Sequence, residues 1–234
     1  MKRAPVEAKL RYSLGRQSKP LSADAGLEAL LGYTAGDLLA GRVDLSDRIH
    51  PGDADIAAQL FSSDGKERSG VVHLRLRHAD GKIRCVRVEF AKRRQPARQG
   101  EPVQLLSLLL QDARSLYGIL PDPGILTSIE PMMNAAGEPL YLKNLNHVFT
   151  AANRATLEAY SAQSDPSHLL GATCYDVFPE QYADTCYEFE KQVLSGTPKV
   201  SEILPLPALG KSDRWIDLMR YPVKDSAGAV IGVL

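Results

Sequence analysis

Segments in which apolar and polar residues alternate dominate the chain, and this is the pattern of half-buried β-strands. In the first half, apolar residues alternate with charged ones at 72–77 and apolar residues recur at every second position at 86–90. Asp80-Gly81 lies between these segments and is a strong hairpin signal. Together with an apolar segment at 103–110, the pattern predicts three antiparallel strands at the end of this half.

Shorter elements precede these strands. A strand is predicted at 9–14, and helical periodicity follows it. Asp24 is expected to begin a helix that ends at Gly32, and Asp53 to cap a further helix that carries Leu60. Glycines and prolines keep the pieces between these two helices short.

The second half repeats this order of elements, which indicates a tandem arrangement. A helix begins at Asn153, a short piece follows at 174–178, and a long amphipathic helix is predicted at 180–194. Strands are predicted at 139–143, 148–151, 199–206, 214–224 and 229–234.

The segregation of strands from helices predicts an α+β fold class. Each half is expected to form a five-stranded antiparallel sheet with short helices on one face. A stretch rich in glycine and proline between Gln111 and Glu138 separates the halves. It predicts one domain at residues 1–115 and a second at 116–234, with a short helix at 125–133 leading into the second.

Charge and cysteine content exclude several classes of function. The 234 residues include 28 basic and 28 acidic ones, and this balance argues against a nucleic-acid surface. The three cysteines form no Cys-x-x-Cys pair, so neither a disulfide framework nor a metal site is expected. No signal peptide is evident, and the most apolar run is far shorter than the ~20 residues of a membrane span. A cytoplasmic location is expected.

Several motifs resemble those of the PAS family. In the first half they are Leu31-Gly32-Tyr33, His50-Pro51-Gly52-Asp53 and the Asp80-Gly81 hairpin. In the second half they are Ala152-Asn153-Arg154-Ala155, Tyr175-Asp176-Val177-Phe178-Pro179 and Tyr221-Pro222-Val223-Lys224-Asp225. The matches follow the family's order along nearly the whole chain. One tight turn departs from the family pattern, because Asn146-His147 stands where Asp-Gly or a similar pair is usual.

The resemblance to tandem PAS domains implies a sensory region, similar to the sensor part of diguanylate cyclases and phosphodiesterases or of histidine kinases. It implies a small ligand or a partner as the signal, and an effector domain covalently linked beyond residue 234. A cyclic-di-GMP enzyme is the favoured effector and a histidine kinase the alternative. A purely structural dimerisation module is the competing function. The sequence holds no nucleophile elbow or phosphate-binding loop, so the chain itself is expected to be no enzyme.

The resemblance also implies a pocket between the sheet and the helices of the second domain. The residues that could line it are Cys174, Tyr175, Phe178, Tyr182, Cys186, Trp215 and Met219. An ordinary hydrophobic core is the alternative explanation of the same residues. Alternation places Trp215 and Met219 on one face of their strand and leaves open which face is the inner one.

No cofactor is identified. Cys174 follows Gly171 as the reactive cysteine does in light-sensing flavin relatives, but Tyr175 and Phe178 replace the arginine and glutamine of their motif. Haem-binding relatives place a histidine on the long helix, and segment 180–194 contains none. The sequence therefore argues against both flavin and haem.

The segment at 103–110 is apolar on both faces, whereas a sheet covered on one side only should alternate. The second face therefore needs a cover, which could be the linker helix from Ile125, the N-terminal segment, the second domain or another chain. The sequence predicts an interface at this face, with Leu106 and Leu109 as contact residues, and a homodimer.

Overall fold

The computed structural model describes residues 5–15, 17–96, 102–116, 131–160, 168–206 and 214–234. The chain divides into two compact units, residues 1–115 and 116–234. Antiparallel strands and several short helices form both units, so the predicted α+β class is confirmed. Within these ranges, no helix is long and apolar enough to cross a lipid bilayer.

The first unit contains a five-stranded antiparallel sheet in the order β2-β1-β5-β4-β3. Its strands are β1 (Glu7–Leu14), β2 (Lys19–Ala23), β3 (Ser69–Arg77), β4 (Ile83–Gln95) and β5 (Val103–Asp112). β5 lies in the middle of the sheet, between β1 and β4. Its side chains alternate strictly between buried positions and more exposed ones, as a strand with one covered face requires.

Three short helices pack against this sheet: α1 (Gly26–Leu31), α2 (Ala35–Leu39) and α3 (Ala54–Phe61). The predicted cap is displaced by one residue: Ala25 is the N-cap residue of α1, and Asp24, the residue before it, accepts a hydrogen bond on Oδ1 from the backbone N of Gly26 at 3.0 Å. Gly32 ends α1 in the left-handed conformation, with φ 74°. The fully buried side chains of the core come from helices and strands alike and include Leu10, Leu27, Leu30, Leu31, Leu38, Leu76, Leu106 and Leu110.

Asp53 precedes α3 but does not cap it, so this prediction was wrong. Its carboxylate binds Arg75 instead: Oδ1 accepts from Nη2 at 2.7 Å, and Oδ2 accepts from Nε at 3.0 Å. Both side chains are almost fully buried. Alternation had placed Arg75 on the polar face of β3, and the structure corrects this because a bidentate carboxylate partner allows a guanidinium to be buried.

The second unit contains β6 (Tyr141–Asn144), β7 (Phe149–Ala152), β8 (Val200–Leu206), β9 (Arg214–Arg220), β10 (Pro222–Lys224) and β11 (Val230–Val233). A four-stranded sheet has the order β10-β11-β6-β7, and β8 pairs with β9. The single strand predicted at 214–224 is divided at Tyr221, which exchanges two backbone hydrogen bonds of 2.9 Å with Leu234. With β9 and β10 as one interrupted strand, the strand order is that of the first unit.

The helices of the second unit are α4 (131–135), α5 (Arg154–Tyr160), α6 (Cys174–Val177) and α7 (Glu180–Leu194). The bounds of α7 are those that the sequence predicted. Most of the helix predicted at 125–133 lies outside the described residues. In the turn between β6 and β7, His147 has φ 64° and so adopts the left-handed conformation that glycine usually supplies.

Candidate functional site

The predicted pocket residues divide between the core and the surface of the second unit. Cys174, Phe178, Tyr182 and Cys186 belong to its hydrophobic core. Tyr175 is half-buried, and its hydroxyl donates to Oδ1 of Asp184 at 2.5 Å. Trp215 and Met219 lie on the opposite, outer face of β9, with 66% and 39% of their surface exposed, whereas Leu218 is buried. Trp215 therefore does not line the interior, and Met219 reaches only an open cleft at the surface.

Charged residues that the sequence analysis did not single out surround the two buried cysteines. Each is almost fully inaccessible to solvent. We call the following residues the buried cluster: Lys143, His147, Cys174, Cys186, Glu190 and Arg220. They come from β6, the β6–β7 turn, α6, α7 and β9, so the cluster joins the sheet to the helices that cover it.

Glu190 is the acidic centre of the cluster. Its Oε1 accepts from Nζ of Lys143 at 2.6 Å, and its Oε2 lies 2.7 Å from Nδ1 of His147. The His147 ring also stacks on Tyr187, with the ring centroids 4.1 Å apart. The left-handed conformation of this turn therefore directs the imidazole of His147 into the core, where the ring contacts α7.

Arg220 is the second buried cation. Its Nη2 donates to the hydroxyl of Tyr141 and lies 4.0 Å from Sγ of Cys186, and its Nη1 donates to the backbone O of Met219 at 3.1 Å. The guanidinium also stands over the Tyr141 ring, 4.8 Å from its centroid. Its Nε is buried and makes no hydrogen bond to the described residues.

The cluster is short of negative charge. Among the described residues of the second unit, Glu190 is the one fully buried carboxylate, whereas both Lys143 and Arg220 are buried cations. Burial of an uncompensated charge is costly, so this interior favours one further negative charge. A bound anion or an ionised group of the chain could supply it.

The charges shift the pKa values inside the cluster. Burial would raise the pKa of Glu190, but the Lys143 ammonium and the hydrogen bond with His147 lower it from 4.5 to about 2. Burial would likewise raise the pKa of the Cys174 thiol, yet its hydrogen bond with Cys186 and the nearby Lys143 lower it below the usual value. The hydrogen bond with Cys174 and burial raise the pKa of Cys186.

In the described part of the first unit, no comparable excess of charge surrounds the ion pair. Asp53 and Arg75 neutralise each other, and Oδ2 of Asp53 also accepts from the backbone N of Arg75 at 2.8 Å. A pocket of about 270 Å³ lies between α3 and the β3–β4 ladder. Nζ of Lys92 lines it and donates to the backbone O of Gln59 at 2.8 Å and to that of Ser62 at 3.0 Å, at the end of α3. Lys92 therefore satisfies helix carbonyls, which is a structural role.

A cleft of about 480 Å³ in the second unit lies between β9 and the residues that begin β6. Tyr141, Tyr160, Leu218 and Arg220 are among its lining residues. Met219 lines it as well, so one of the predicted pocket residues lies at this cleft.

The predicted interface residues lie on opposite faces of β5. Leu106 is fully buried in the core of the first unit, so its assignment to the outer face was wrong. Odd-numbered and even-numbered residues of a strand point to opposite faces, and Leu109 lies with half-buried Leu105 on the outer one. The register places charged residues beside Leu109, namely Lys9 on β1 and Glu89 on β4.

A signal for the buried cluster was present in the sequence. Glu190 lies four residues after Cys186 and three before Val193, so helical spacing puts a carboxylate on the apolar face of α7. Lys143 shares a strand face with Tyr141 by the same kind of argument. A charged residue at a core-facing position predicts a buried partner of opposite charge. That Glu190 and Lys143 are partners could be seen only in the folded structure, because they lie on separate elements.

Comparison with known proteins agrees with the geometry. Family models described as PAS fold match residues 20–108 and residues 133–234. Together they cover most of the chain, and it belongs to the PAS family. It contains two PAS domains in tandem, of the sensory type found in signalling proteins. No curated protein matches the chain.

Solved structures show distant similarity in fold. The PAS domain of BvgS from Bordetella pertussis is 18% identical, with 47% of this chain and 81% of that chain covered and a TM-score of 0.41. The N-terminal domain of a diguanylate cyclase with a PAS/PAC sensor from Marinobacter aquaeolei is 18% identical, with 44% and 94% covered and a TM-score of 0.33. An RNA-binding light-oxygen-voltage receptor is 12% identical, with 97% and 91% covered and a TM-score of 0.35.

Proposed function

We propose that this chain is the regulatory input region of a bacterial signalling protein and that its second PAS domain is the sensing one. One observation carries this assignment: the buried cluster holds two cations against one carboxylate, whereas the buried ion pair of the first domain is neutral. A neutral pair needs no further group. A cluster that favours another negative charge responds to any small molecule that supplies or removes one.

The position of the cluster supports a route for the signal. Lys143 lies on β6 opposite Val233 of β11, and Glu190 and Cys186 lie on α7. β11 is one of the two inner strands of the four-stranded sheet and also contacts α7. A change in the charge of the cluster would alter how α7 packs on the sheet and hence the position of β11, from which a following domain would continue.

We further propose that the signal reaches a C-terminal effector linked beyond residue 234, in the cytoplasm, without catalysis by the chain itself. The motif resemblance favours a cyclic-di-GMP diguanylate cyclase or phosphodiesterase as this effector, with a histidine kinase as the second candidate. The other proposed role is dimerisation, which half-buried Leu109 on the outer face of the first sheet supports.

A fusion protein tests the sensing role. The chain would be joined at Leu234 to a diguanylate cyclase catalytic domain that lacks its own sensor, and formation of cyclic-di-GMP would be measured. Lys143→Met should change the output at least several-fold, because it removes a buried cation that bridges β6, α6 and α7. Lys224→Met is the matched control, since Lys224 is exposed on β10. Equal output from both variants and the unaltered chain would contradict the proposal.

A further inference from the structure

The buried cluster contains two thiols, and each faces a cation. Sγ of Cys174 lies 2.9 Å from Nζ of Lys143, and Sγ of Cys186 lies 4.0 Å from Nη2 of Arg220. Both thiols belong to the same hydrophobic core, in which α6 packs against α7, and each contributes to the shift in the other's pKa. Two buried cysteines of one core, each beside a cation, form an arrangement that ordinary core packing does not require.

The charge balance identifies which sulfur reacts. Lys143 and Arg220 outnumber Glu190, so a Cys174 thiolate would provide the negative charge that the cluster lacks. Lys143 contacts Cys174 directly, and the thiolate is the nucleophilic form of cysteine. The neighbouring Cys174 and burial raise the pKa of the Cys186 thiol, so Cys186 stays protonated and is suited to act second.

We propose that Cys174 and Cys186 are a redox-active pair that a hydroperoxide oxidises to a reversible disulfide. The inference rests on the proposed function, because it uses the same cluster and narrows the small-molecule signal to an oxidant. It assigns Cys174 as the attacking residue, Cys186 as the resolving residue and Lys143 as the residue that stabilises the thiolate.

The reaction balances with hydrogen peroxide as the simplest oxidant. The Cys174 thiolate attacks one peroxide oxygen, the O–O bond breaks, and a sulfenic acid forms with release of hydroxide. The proton that the Cys174 thiol had given up converts this hydroxide to water. The Cys186 sulfur then attacks the Cys174 sulfur, its proton leaves with the sulfenic oxygen as a second water, and the S–S bond forms. Two thiols are oxidised, one peroxide is reduced, and an added dithiol reverses the change.

Disulfide formation has a direct structural consequence. It removes the negative sulfur beside Lys143, so the ammonium retains Glu190 as its anionic partner. It also fixes α6 to the middle of α7, between Tyr182 and Glu190. The reaction therefore changes both the charge of the cluster and the freedom of the helix that contacts β11.

Counting thiols in the oxidised protein tests the proposal. The purified, reduced chain would be treated with hydrogen peroxide, denatured, labelled with a maleimide and weighed by mass spectrometry. The reduced chain should take three labels, one for each cysteine. The oxidised chain should take a single label, at Cys85, and peptide mapping should find Cys174 joined to Cys186.

Cys85 provides the matched control, because it is a buried cysteine of the first unit. Cys85→Ser should leave the disulfide intact, whereas Cys174→Ser and Cys186→Ser should each abolish it. Cys186→Ser should also trap the Cys174 sulfenic acid, which dimedone labels. Lys143→Met should slow thiol loss at neutral pH about tenfold for each unit by which the Cys174 pKa rises. Lys143→Arg keeps the positive charge and should retain most of the rate, which separates the charge from a folding defect.

Two outcomes would overturn the inference: three labels on the oxidised wild-type chain, or a disulfide that involves Cys85. If no disulfide forms but Lys143→Met still changes the output of the fusion protein, the sensing role survives and the redox chemistry fails. If the disulfide forms while neither peroxide nor Lys143→Met changes that output, the redox pair stands and the proposed function fails.

Discussion

At the scale of single residues, the two domains use buried charge differently. Asp53 and Arg75 form an ion pair with each other, whereas Glu190 contacts both Lys143 and His147. A buried pair contributes little net stability over apolar packing, yet removal of one partner leaves a bare charge and is strongly destabilising. Substitutions that break these contacts should therefore have large effects on the free energy of unfolding, and each effect can be measured separately.

The first prediction concerns the pair in the first domain. Asp53→Asn should lower the free energy of unfolding by about 3–5 kcal/mol, because it leaves the Arg75 guanidinium buried without a counter-charge. Arg42→Met is the control, since Arg42 forms an exposed ion pair with Asp37 and should leave stability almost unchanged. Urea denaturation of both variants gives the comparison, and equal losses would show that burial of the pair is unimportant.

The second prediction concerns pH. The pKa of Glu190 is lower in the folded protein, about 2, than the 4.5 of an unperturbed carboxyl group. Its stabilisation is therefore fully present above pH 4.5 and is lost as the pH falls towards 2. At about 1.4 kcal/mol for each pKa unit, the difference corresponds to roughly 3 kcal/mol.

Glu190→Gln should consequently flatten the loss of stability between pH 5 and pH 2, although the variant is less stable at neutral pH. Glu188→Gln alters a more exposed carboxylate of the same helix and should keep the wild-type slope. The test is the free energy of unfolding measured across this pH range. Parallel curves for wild type and Glu190→Gln would refute the lowered pKa of Glu190.

At the scale of elements, the sequence predicted α7 and most strands well because their periodicity is strong, but it assigned no strand at β2. The prediction failed at single positions whose burial departs from the alternation of the strand around them. Arg75 occupies a polar position of an alternating strand yet is buried, and Leu106 and Leu109 share an apolar run but point to opposite faces. Partners such as Asp53 for Arg75 lie 22 residues away, and no local period connects them.

The third prediction concerns the packing of α1 on β1. A Cβ at Gly26 would lie 1.9 Å from the backbone O of Glu7, so Gly26→Ala must displace the helix from the strand. We expect a loss of about 1–3 kcal/mol of unfolding free energy, the range for overpacked sites. Gly36→Ala within α2 meets only Oγ1 of Thr34, at 3.7 Å, and should be neutral or slightly stabilising. Similar melting temperatures for the two variants would argue against the close approach.

At the scale of the whole molecule, tandem organisation was predictable from the repeated order of elements, but the inequality of the two domains was not. The first buries Asp53 and Arg75 as a neutral pair, whereas the second buries two cations beside one carboxylate. Both halves of the sequence have the pattern of alternating strands and amphipathic helices. The difference between their interiors becomes visible only where β6, α7 and β9 pack together in the folded structure.

The fourth prediction tests dimerisation through the first sheet. Leu109→Lys should shift the protein from dimer to monomer in sedimentation velocity while its stability changes little, since Leu109 lies on the outer face. Leu106→Ala should do the opposite, with a loss of about 2–5 kcal/mol of stability and unaltered assembly, because Leu106 is fully buried in the core. A protein that is monomeric at all concentrations, with or without Leu109→Lys, would exclude this interface.

The left-handed turn at His147 has a consequence for which residue can occupy that position. Glycine would adopt φ 64° without strain, but it would remove the imidazole that contacts Glu190 and stacks on Tyr187. The backbone preference of the turn and the packing of the core therefore oppose each other at this residue.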